Sequence, residues 1–429
     1  MGTALLTDRY ELTMIDAALG SGMHDRECVF EVFTRRLPEG RRYGMVAGTG
    51  RLLDAIESFR FGDDELAFLR DNAVVRADAL DWLADFRFRG TVWGYREGET
   101  FFPGSPILVV EGTFAEAVLL ETIALSVLNY DSAVASAAAR MVTAAEGRPL
   151  AEMGSRRTNE RSAVAAARAA HIAGFAATSN LEAGRRWGVP TMGTAAHSFT
   201  LLHDSEEEAF AAQVAALGPG TTLLVDTYDI ATGVERAVAA AGTQLGAVRI
   251  DSGDLPVQVA AVRAQLDELG ATSTRITVTN DLDEFTIAAL RAAPVDSYGV
   301  GTSVVTGSGH PACGFVYKLV AHRDAAGDWV PVAKKSAAKA TVGGRKTAVR
   351  SVVNGVATAE TLYLEDAPAD HEGRELQVPL IREGAIDSRW RGAGGVALAR
   401  EHAAFALAEL PADALRLGRG DPAIPTIYA

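Results

Sequence analysis

The sequence predicts an α/β fold: an incomplete seven-stranded (β/α) barrel behind an α+β N-terminal lobe. Three observations predict it. Beyond Ser132, seven short apolar or β-branched runs with polar or turn-forming ends recur, at residues 150–153, 175–178, 190–195, 222–227, 247–251, 276–280 and 297–302. Ala-rich helical stretches at 160–172, 230–241 and 257–269 lie between them, and Gly174, Gly242 and Gly270 close those stretches. No dinucleotide fingerprint opens any of these units, so repeated βα units in one parallel sheet read as a barrel, and seven strands rather than eight leave it incomplete.

The lobe before Ser132 is mixed. Leu5 to Met14 begins a helix with Thr7 or Asp8 as N-cap and Tyr10 in its first turn. Residues 27–33 alternate as a strand, and 37–43 form a basic turn. Helical patterns follow at 49–59, 63–71 and 77–86. A second β region spans 89–112, punctuated by Gly94, Gly98, Pro103, Gly104 and Pro106, and an apolar helix at 115–129 leads out of it.

Composition narrows the function classes. With 429 residues and 48% apolar content, the chain has material for one large domain and a smaller one. A net charge of −14 argues against coating nucleic acid. Cys28 and Cys313 are far apart and neither belongs to a CxxC pair, so neither a zinc framework nor a disulfide scaffold is expected. The first twenty residues are too polar for a signal peptide, and no apolar run is expected to reach bilayer length, which makes cytoplasm the expected location. Arg has displaced Lys almost everywhere, yet Lys318, Lys334, Lys335, Lys339 and Lys346 all fall in one window, as if an ammonium were wanted there for a phosphate. Chance clustering on a solvated hairpin is the structural alternative.

Loops after parallel strands open onto one rim, so the residues at the strand ends carry the functional reading. They are Gly154 to Arg157, Thr178 to Asn180, His197 with Ser198, Asp226, Arg249 with Asp251, Asn280 with Asp281, and Gly299 to Thr302. Asp226 or Asp281 alone could be a helix N-cap, Arg156 a surface pair, and Gly299 and Gly301 mere turns. Together, two arginine sites, three carboxylates and a histidine exceed what a structural rim requires. Such a rim suits a multiply phosphorylated sugar. Gly299 and Gly301 would let backbone N–H groups approach a phosphate, and Arg156, Arg157 and the lysine window would neutralise a pyrophosphate. Asp226, Asp251 and Asp281 would take ribose hydroxyls or Mg²⁺ carried by the phosphates. In Gly343-Gly-Arg-Lys-Thr347 an Arg stands between Gly and Lys, a poor fit to a P-loop ATPase, and the absence of Lys before Lys318 disfavours a Schiff-base aldolase.

Six stretches resemble the nicotinate phosphoribosyltransferases, a type II phosphoribosyltransferase family. They are Leu6-Thr-Asp-Arg-Tyr-Glu-Leu-Thr-Met14, Glu152-Met-Gly-Ser-Arg-Arg157, Gly193-Thr-Ala-Ala-His-Ser-Phe199, Leu224-Val-Asp-Thr-Tyr-Asp229, Val248-Arg-Ile-Asp-Ser-Gly-Asp254 and Tyr298-Gly-Val-Gly-Thr302. The resemblance implies an α+β N-terminal domain (1–130), an irregular seven-stranded barrel (131–320), and a basic loop with C-terminal segments (321–429) packing back to complete the N-terminal domain. It also implies a homodimer with active sites at the subunit interface.

By the same resemblance His197 is the histidine phosphorylated by ATP, Asp226 orients it, and Asp251 lies near the ribose. Tyr10 of the partner subunit stacks on the pyridine, Arg249 contacts the base, and Ser198 contacts substrate. Arg156, Asp281, Gly299, Gly301 and Thr302 hold phosphates, and Lys335 and Lys339 reach the pyrophosphate. Related amide-using enzymes carry Asp where this chain has Ser179, so Ser179 favours nicotinate. The implied reaction joins nicotinate to phosphoribosyl pyrophosphate, with Mg²⁺ on the phosphates and ATP as co-substrate. A nicotinamide or quinolinate transferase, or a non-catalytic phosphoribosyl-ligand sensor on the same fold, are the alternatives.

Overall fold

A computed structural model describes residues 2–334 and 341–429. Lys335 and Lys339 therefore lie outside the described residues. The chain forms two compact units, one of residues 1–136 with 310–429 and the other of residues 137–309.

The second unit is built on a parallel six-stranded sheet. Its order is Ala177–Thr178, Leu150–Glu152, Ser297–Val300, Arg275–Val278, Ala247–Ile250, Thr222–Leu224. Six of the seven predicted runs are these strands. The seventh, 190–195, joins only through a parallel bridge between Thr191 and Thr178. Two hydrogen bonds hold it there: the Thr178 N–H donates to the Pro190 carbonyl at 2.9 Å and the Met192 N–H to the Thr178 carbonyl at 2.9 Å. Pro190 has no N–H to extend the ladder, and beyond Met192 the chain leaves the sheet. Among the described residues nothing pairs Thr222–Leu224 with that seventh run, so the sheet curls into an open half-barrel.

Helices return the chain from each strand to the next, as parallel pairing demands. They form where predicted, at Glu160–Ile172, Ile230–Ala241 and Leu255–Glu268, and Gly242 takes φ 69° at the end of the second. In Glu160–Ile172 the buried face is almost all alanine, which brings the helix close to the sheet without side-chain entropy cost. Side-chain caps set the helix starts: Asn180, Asp229 and Asp283 accept N–H groups of the first turns in loops on the strand-end side. Asp226 and Asp281 are therefore not the caps.

The first unit contains a seven-stranded antiparallel sheet. In it Phe315–Arg323 pairs with Glu27–Thr34, and Gln377–Arg382 pairs with Thr91–Tyr95, so segments from both ends of the chain share one sheet. A four-stranded sheet contains Thr347–Val353 and Val356–Tyr363. The core is aromatic-rich, with Phe30 stacked on Tyr317 at 4.9 Å. Lys346 is not a free phosphate ligand: its ammonium is buried and donates to Glu31 at 2.7 Å. Burial pushes the Glu31 carboxyl up, and Lys346 opposes the shift. Cys28 and Cys313 are free thiols in this core.

The predicted apolar helix at 115–129 is longer than expected. Phe114–Val118 leads into Glu121–Ala145, and together they make a helical stretch long and apolar enough to cross a bilayer, contrary to expectation. Its most apolar 18-residue window is 67% buried within the fold, as a core helix should be.

Candidate active site

His197 occupies the first position of the short helix Thr191 leads into, His197–Leu202, with Ala196 as an extended N-cap residue. Its Nδ1 lies 3.1 Å from the Thr227 hydroxyl oxygen. Its Nε2 faces two carboxylates, with Asp226 Oδ1 at 3.8 Å and Asp251 Oδ2 at 4.0 Å. Both distances exceed a hydrogen bond, so these carboxylates act on the ring through their field.

Asp226 holds a loop as well. Its side chain is 1% exposed, and its Oδ2 accepts the Asp251 N–H at 2.8 Å and the Ser252 hydroxyl at 2.7 Å. Its Oδ1, the oxygen nearer His197, is buried without a hydrogen-bond partner. Asp251 in turn accepts from the Thr279 hydroxyl at 2.7 Å. Residues at the ends of three neighbouring strands are thereby tied into one row.

Arg249 points inward from Ala247–Ile250 and donates to the Thr194 hydroxyl at 2.7 Å. Burial lowers its pKa, Asp251 and Asp226 oppose that shift, and Arg156 adds to it. Its Nε is buried without a partner. Arg249, Thr194, Met153, Met192, Arg275 and Tyr298 line a lumen cavity of about 200 Å³. Two guanidinium groups, Arg249 and Arg275, share its lining with apolar side chains.

Glu152 organises the neighbouring loops. Buried at the end of its strand, it accepts from the Gly154 N–H and from the Thr178 hydroxyl at 2.6 Å, and its carbonyl accepts the Ser179 N–H at 2.8 Å. Burial raises its pKa and those hydrogen bonds oppose the rise. Arg156 and Ser179, both exposed, are presented by these loops. A β-carbon on Gly154 would lie 2.2 Å from Val305 and 2.9 Å from the Gly301 carbonyl, so only glycine fits.

The structure thus brings His197, Asp226, Asp251 and Arg249 together, with Arg156 within electrostatic reach. The other expected residues have local settings of their own. Ser198 is exposed on the His197 helix, and Asp281 is exposed at φ 36°. Gly299, expected beyond the last strand, lies inside it, where a β-carbon would meet Met153 and Thr279 at 2.7 Å. Gly301 precedes the four-residue helix Thr302–Val305, with Thr302 exposed at its start. Tyr10 belongs to the first unit, 44% exposed in the first turn of Arg9–Ser21. Partial burial and the neighbouring Glu121 carboxylate raise its pKa well above the ordinary value.

Sequence reasoning missed the hydroxyls: Thr194, Ser252 and Thr279 each hold a charged group of the cluster, and Thr227 holds the imidazole. All four sit within three residues of a residue singled out at the rim, which is the signal that was there to find. It also passed over a cleft of about 530 Å³ in the first unit, lined by Arg35, Arg36 and His310 with no carboxylate. Among the described residues no group of three or more His, Cys, Asp or Glu is arranged to hold a metal.

Residues 5–129 match the nicotinate phosphoribosyltransferase (NAPRTase) N-terminal domain family. The chain is 59% identical to nicotinate phosphoribosyltransferase pncB1 of Mycobacterium tuberculosis (strain CDC 1551 / Oshkosh), covering 98% of this chain and 94% of that protein. It is 37% identical to the nicotinate phosphoribosyltransferase of Bacillus subtilis (strain 168), over 81% of this chain and 73% of that one. The crystal structure of human nicotinic acid phosphoribosyltransferase superposes with a TM-score of 0.84 at 25% identity, covering 99% of this chain and 97% of that one. An identity of 59% along nearly the full length of both proteins leaves one conclusion: the chain belongs to the nicotinate phosphoribosyltransferase family.

Proposed function

We propose that the protein transfers the phosphoribosyl group of phosphoribosyl pyrophosphate to nicotinate, giving nicotinate mononucleotide and pyrophosphate, and that ATP assists through a phosphohistidine at His197. Family membership supports the transfer. The observation that carries the finer reading is the single cluster of a histidine, two carboxylates and a part-buried arginine at the strand ends.

The chemistry is displacement at the anomeric carbon: the pyridine nitrogen bonds to it as the bond to the pyrophosphate oxygen breaks. Charge accumulates on the leaving group, so the enzyme's task is positioning and electrostatic stabilisation. Arg249, with spare donors facing the lumen, pairs with the nicotinate carboxylate, and desolvation strengthens that pairing. Ser179, which carries no charge, tolerates a carboxylate where an acidic side chain would repel it. Tyr10 of the partner subunit stacks on the ring in a homodimer with shared sites. Asp251 takes ribose hydroxyls and Ser198 the substrate nearby. Arg156, Asp281, Gly299, Gly301, Thr302, Lys335 and Lys339 meet the phosphates. Asp226 keeps Asp251 in place and stabilises charge on His197.

Magnesium fits this donor set as an ion carried in by phosphates. The exposed Asp281 carboxylate is a hard oxygen donor, and so little protein ligation means that phosphate and water must complete the shell. When bound, the ion neutralises phosphate charge. The expected setting is the cytoplasm.

The test is nucleotide formation from radiolabelled nicotinate, nicotinamide and quinolinate in parallel, with phosphoribosyl pyrophosphate. Preference for nicotinate supports the reading. Preference for either other base contradicts the roles of Ser179 and Arg249, and binding without turnover identifies a sensor instead.

A further inference from the structure

We propose that Thr227 is a positioning residue that fixes the tautomer of His197, its hydroxyl donating to Nδ1 so that the ring proton sits on Nε2. The two sides of the ring differ in kind. On one side lie Asp226 Oδ1 at 3.8 Å and Asp251 Oδ2 at 4.0 Å, and ionised carboxylates only accept. A lone pair on Nε2 would face both negative groups, whereas a proton there is attracted by both. On the other side the Thr227 hydroxyl, 3.1 Å from Nδ1, can donate as readily as accept. With the proton on Nε2, the Nδ1 lone pair takes the hydroxyl hydrogen and both sides are satisfied.

The orphaned Asp226 Oδ1 supports this arrangement. It is the oxygen of Asp226 that loop hydrogen bonds leave unused, and it is the one turned toward Nε2. Thr227 follows Asp226 directly, so one short segment beyond Thr222–Leu224 supplies both the hydroxyl and the carboxylate that act on the ring.

For catalysis the inference rests on the reading that His197 accepts a phosphoryl group from ATP. In that step the Nδ1 lone pair forms the N–P bond while the bond from the γ-phosphorus to its bridging oxygen breaks. ADP leaves with that electron pair, and the Thr227 hydrogen bond to Nδ1 is given up. The Nε2 proton stays on the ring, and the cationic imidazolium is met by Asp226 and Asp251.

The experiment uses full-length protein with ¹⁵N-labelled histidine rings. Among its eight histidines, His197 is assigned by its loss in His197→Gln. Ring tautomers are read by long-range ¹H–¹⁵N correlation at about pH 9, where an ordinary imidazole is neutral. The wild type and Thr227→Ser are expected to show Nε2–H, and the near-isosteric Thr227→Val a mixture of tautomers. The initial rate of protein phosphorylation by labelled ATP is expected to fall roughly tenfold in Thr227→Val, the scale of one hydrogen bond, and to return to within about threefold in Thr227→Ser. Nδ1–H in the wild type, or an unchanged tautomer in Thr227→Val, overturns the proposal. A Thr227-dependent tautomer in a protein that takes no phosphoryl group from ATP upholds the positioning role and overturns the phosphohistidine reading instead.

Discussion

Asp226 accepts the backbone N–H of Asp251 at 2.8 Å, so a side chain beyond one barrel strand fixes the first residue beyond the next. Since Asp251 also lies 4.0 Å from His197, the carboxylate that stabilises the loop is inseparable from the one that shapes the field on the ring. Substitution at Asp226 therefore acts on fold and function by different routes. Asp226→Asn retains an oxygen for the two loop donors and should leave thermal unfolding close to wild type, while nucleotide formation falls on the order of a hundredfold because the charge is gone. Asp226→Ala strands the Asp251 N–H and should cost a further ~1–3 kcal/mol in urea unfolding. Equal stability of the two variants would contradict the loop-holding role.

Arg249 donates to Thr194 and leaves other guanidinium donors toward the lumen. Losing a charge-assisted hydrogen bond costs about 1.5–3 kcal/mol, so Arg249→Ala should raise the KM for nicotinate roughly ten- to a hundredfold. Because the proposed phosphate contacts are other residues, the KM for phosphoribosyl pyrophosphate should move much less. Steady-state titration of each substrate against a fixed excess of the other measures the difference. Equal effects on both would remove Arg249 from the base site.

Glu11 gives the first unit a pH dependence. Its side chain is buried, Oε1 accepts the Thr122 N–H at 3.0 Å, and Oε2 has no partner. Burial lifts its pKa from 4.5 to about 7, against the opposing hydrogen bonds from Thr122. A raised carboxyl pKa means the folded state binds the proton more tightly than the unfolded chain. Its stabilising effect is thus complete below pH 4.5 and is lost as pH rises through about 7. Glu11→Gln keeps an acceptor for Thr122 and cannot ionise. Relative to wild type it should gain up to about 2–3 kcal/mol between about pH 5 and pH 8, read by urea unfolding at each pH. A pH-independent difference would show that Glu11 does not titrate in this range.

How much of this was readable from residues alone differs between fold and site. Strand positions were legible because short apolar runs with polar or turn-forming ends recur at regular spacing, and the helices because Ala-rich stretches close on Gly174, Gly242 and Gly270. The run at 190–195 misled because it keeps the apolar pattern of a strand although Pro190 has no N–H to extend a ladder and Gly193 has no side chain to pack. The meeting of His197, Asp226, Arg249 and Asp251 was legible because parallel strands deliver their ends to one rim. Thr227, Thr194 and Thr279 were not, since a threonine after a strand is as often a turn or sheet residue, and only geometry shows which side chain its hydroxyl holds. Gly299 illustrates the reverse case: its glycine character answers to packing against Met153 and Thr279, a constraint that sequence spacing does not reveal.

Coupling of ATP to nucleotide synthesis through His197 is tested most directly by one comparison. Nicotinate mononucleotide formation is measured with and without ATP in wild type and His197→Ala, both with saturating phosphoribosyl pyrophosphate. His197→Ala should retain slow nucleotide formation that is the same with and without ATP, and should carry no label after incubation with γ-labelled ATP. Undiminished stimulation by ATP in His197→Ala would contradict the account.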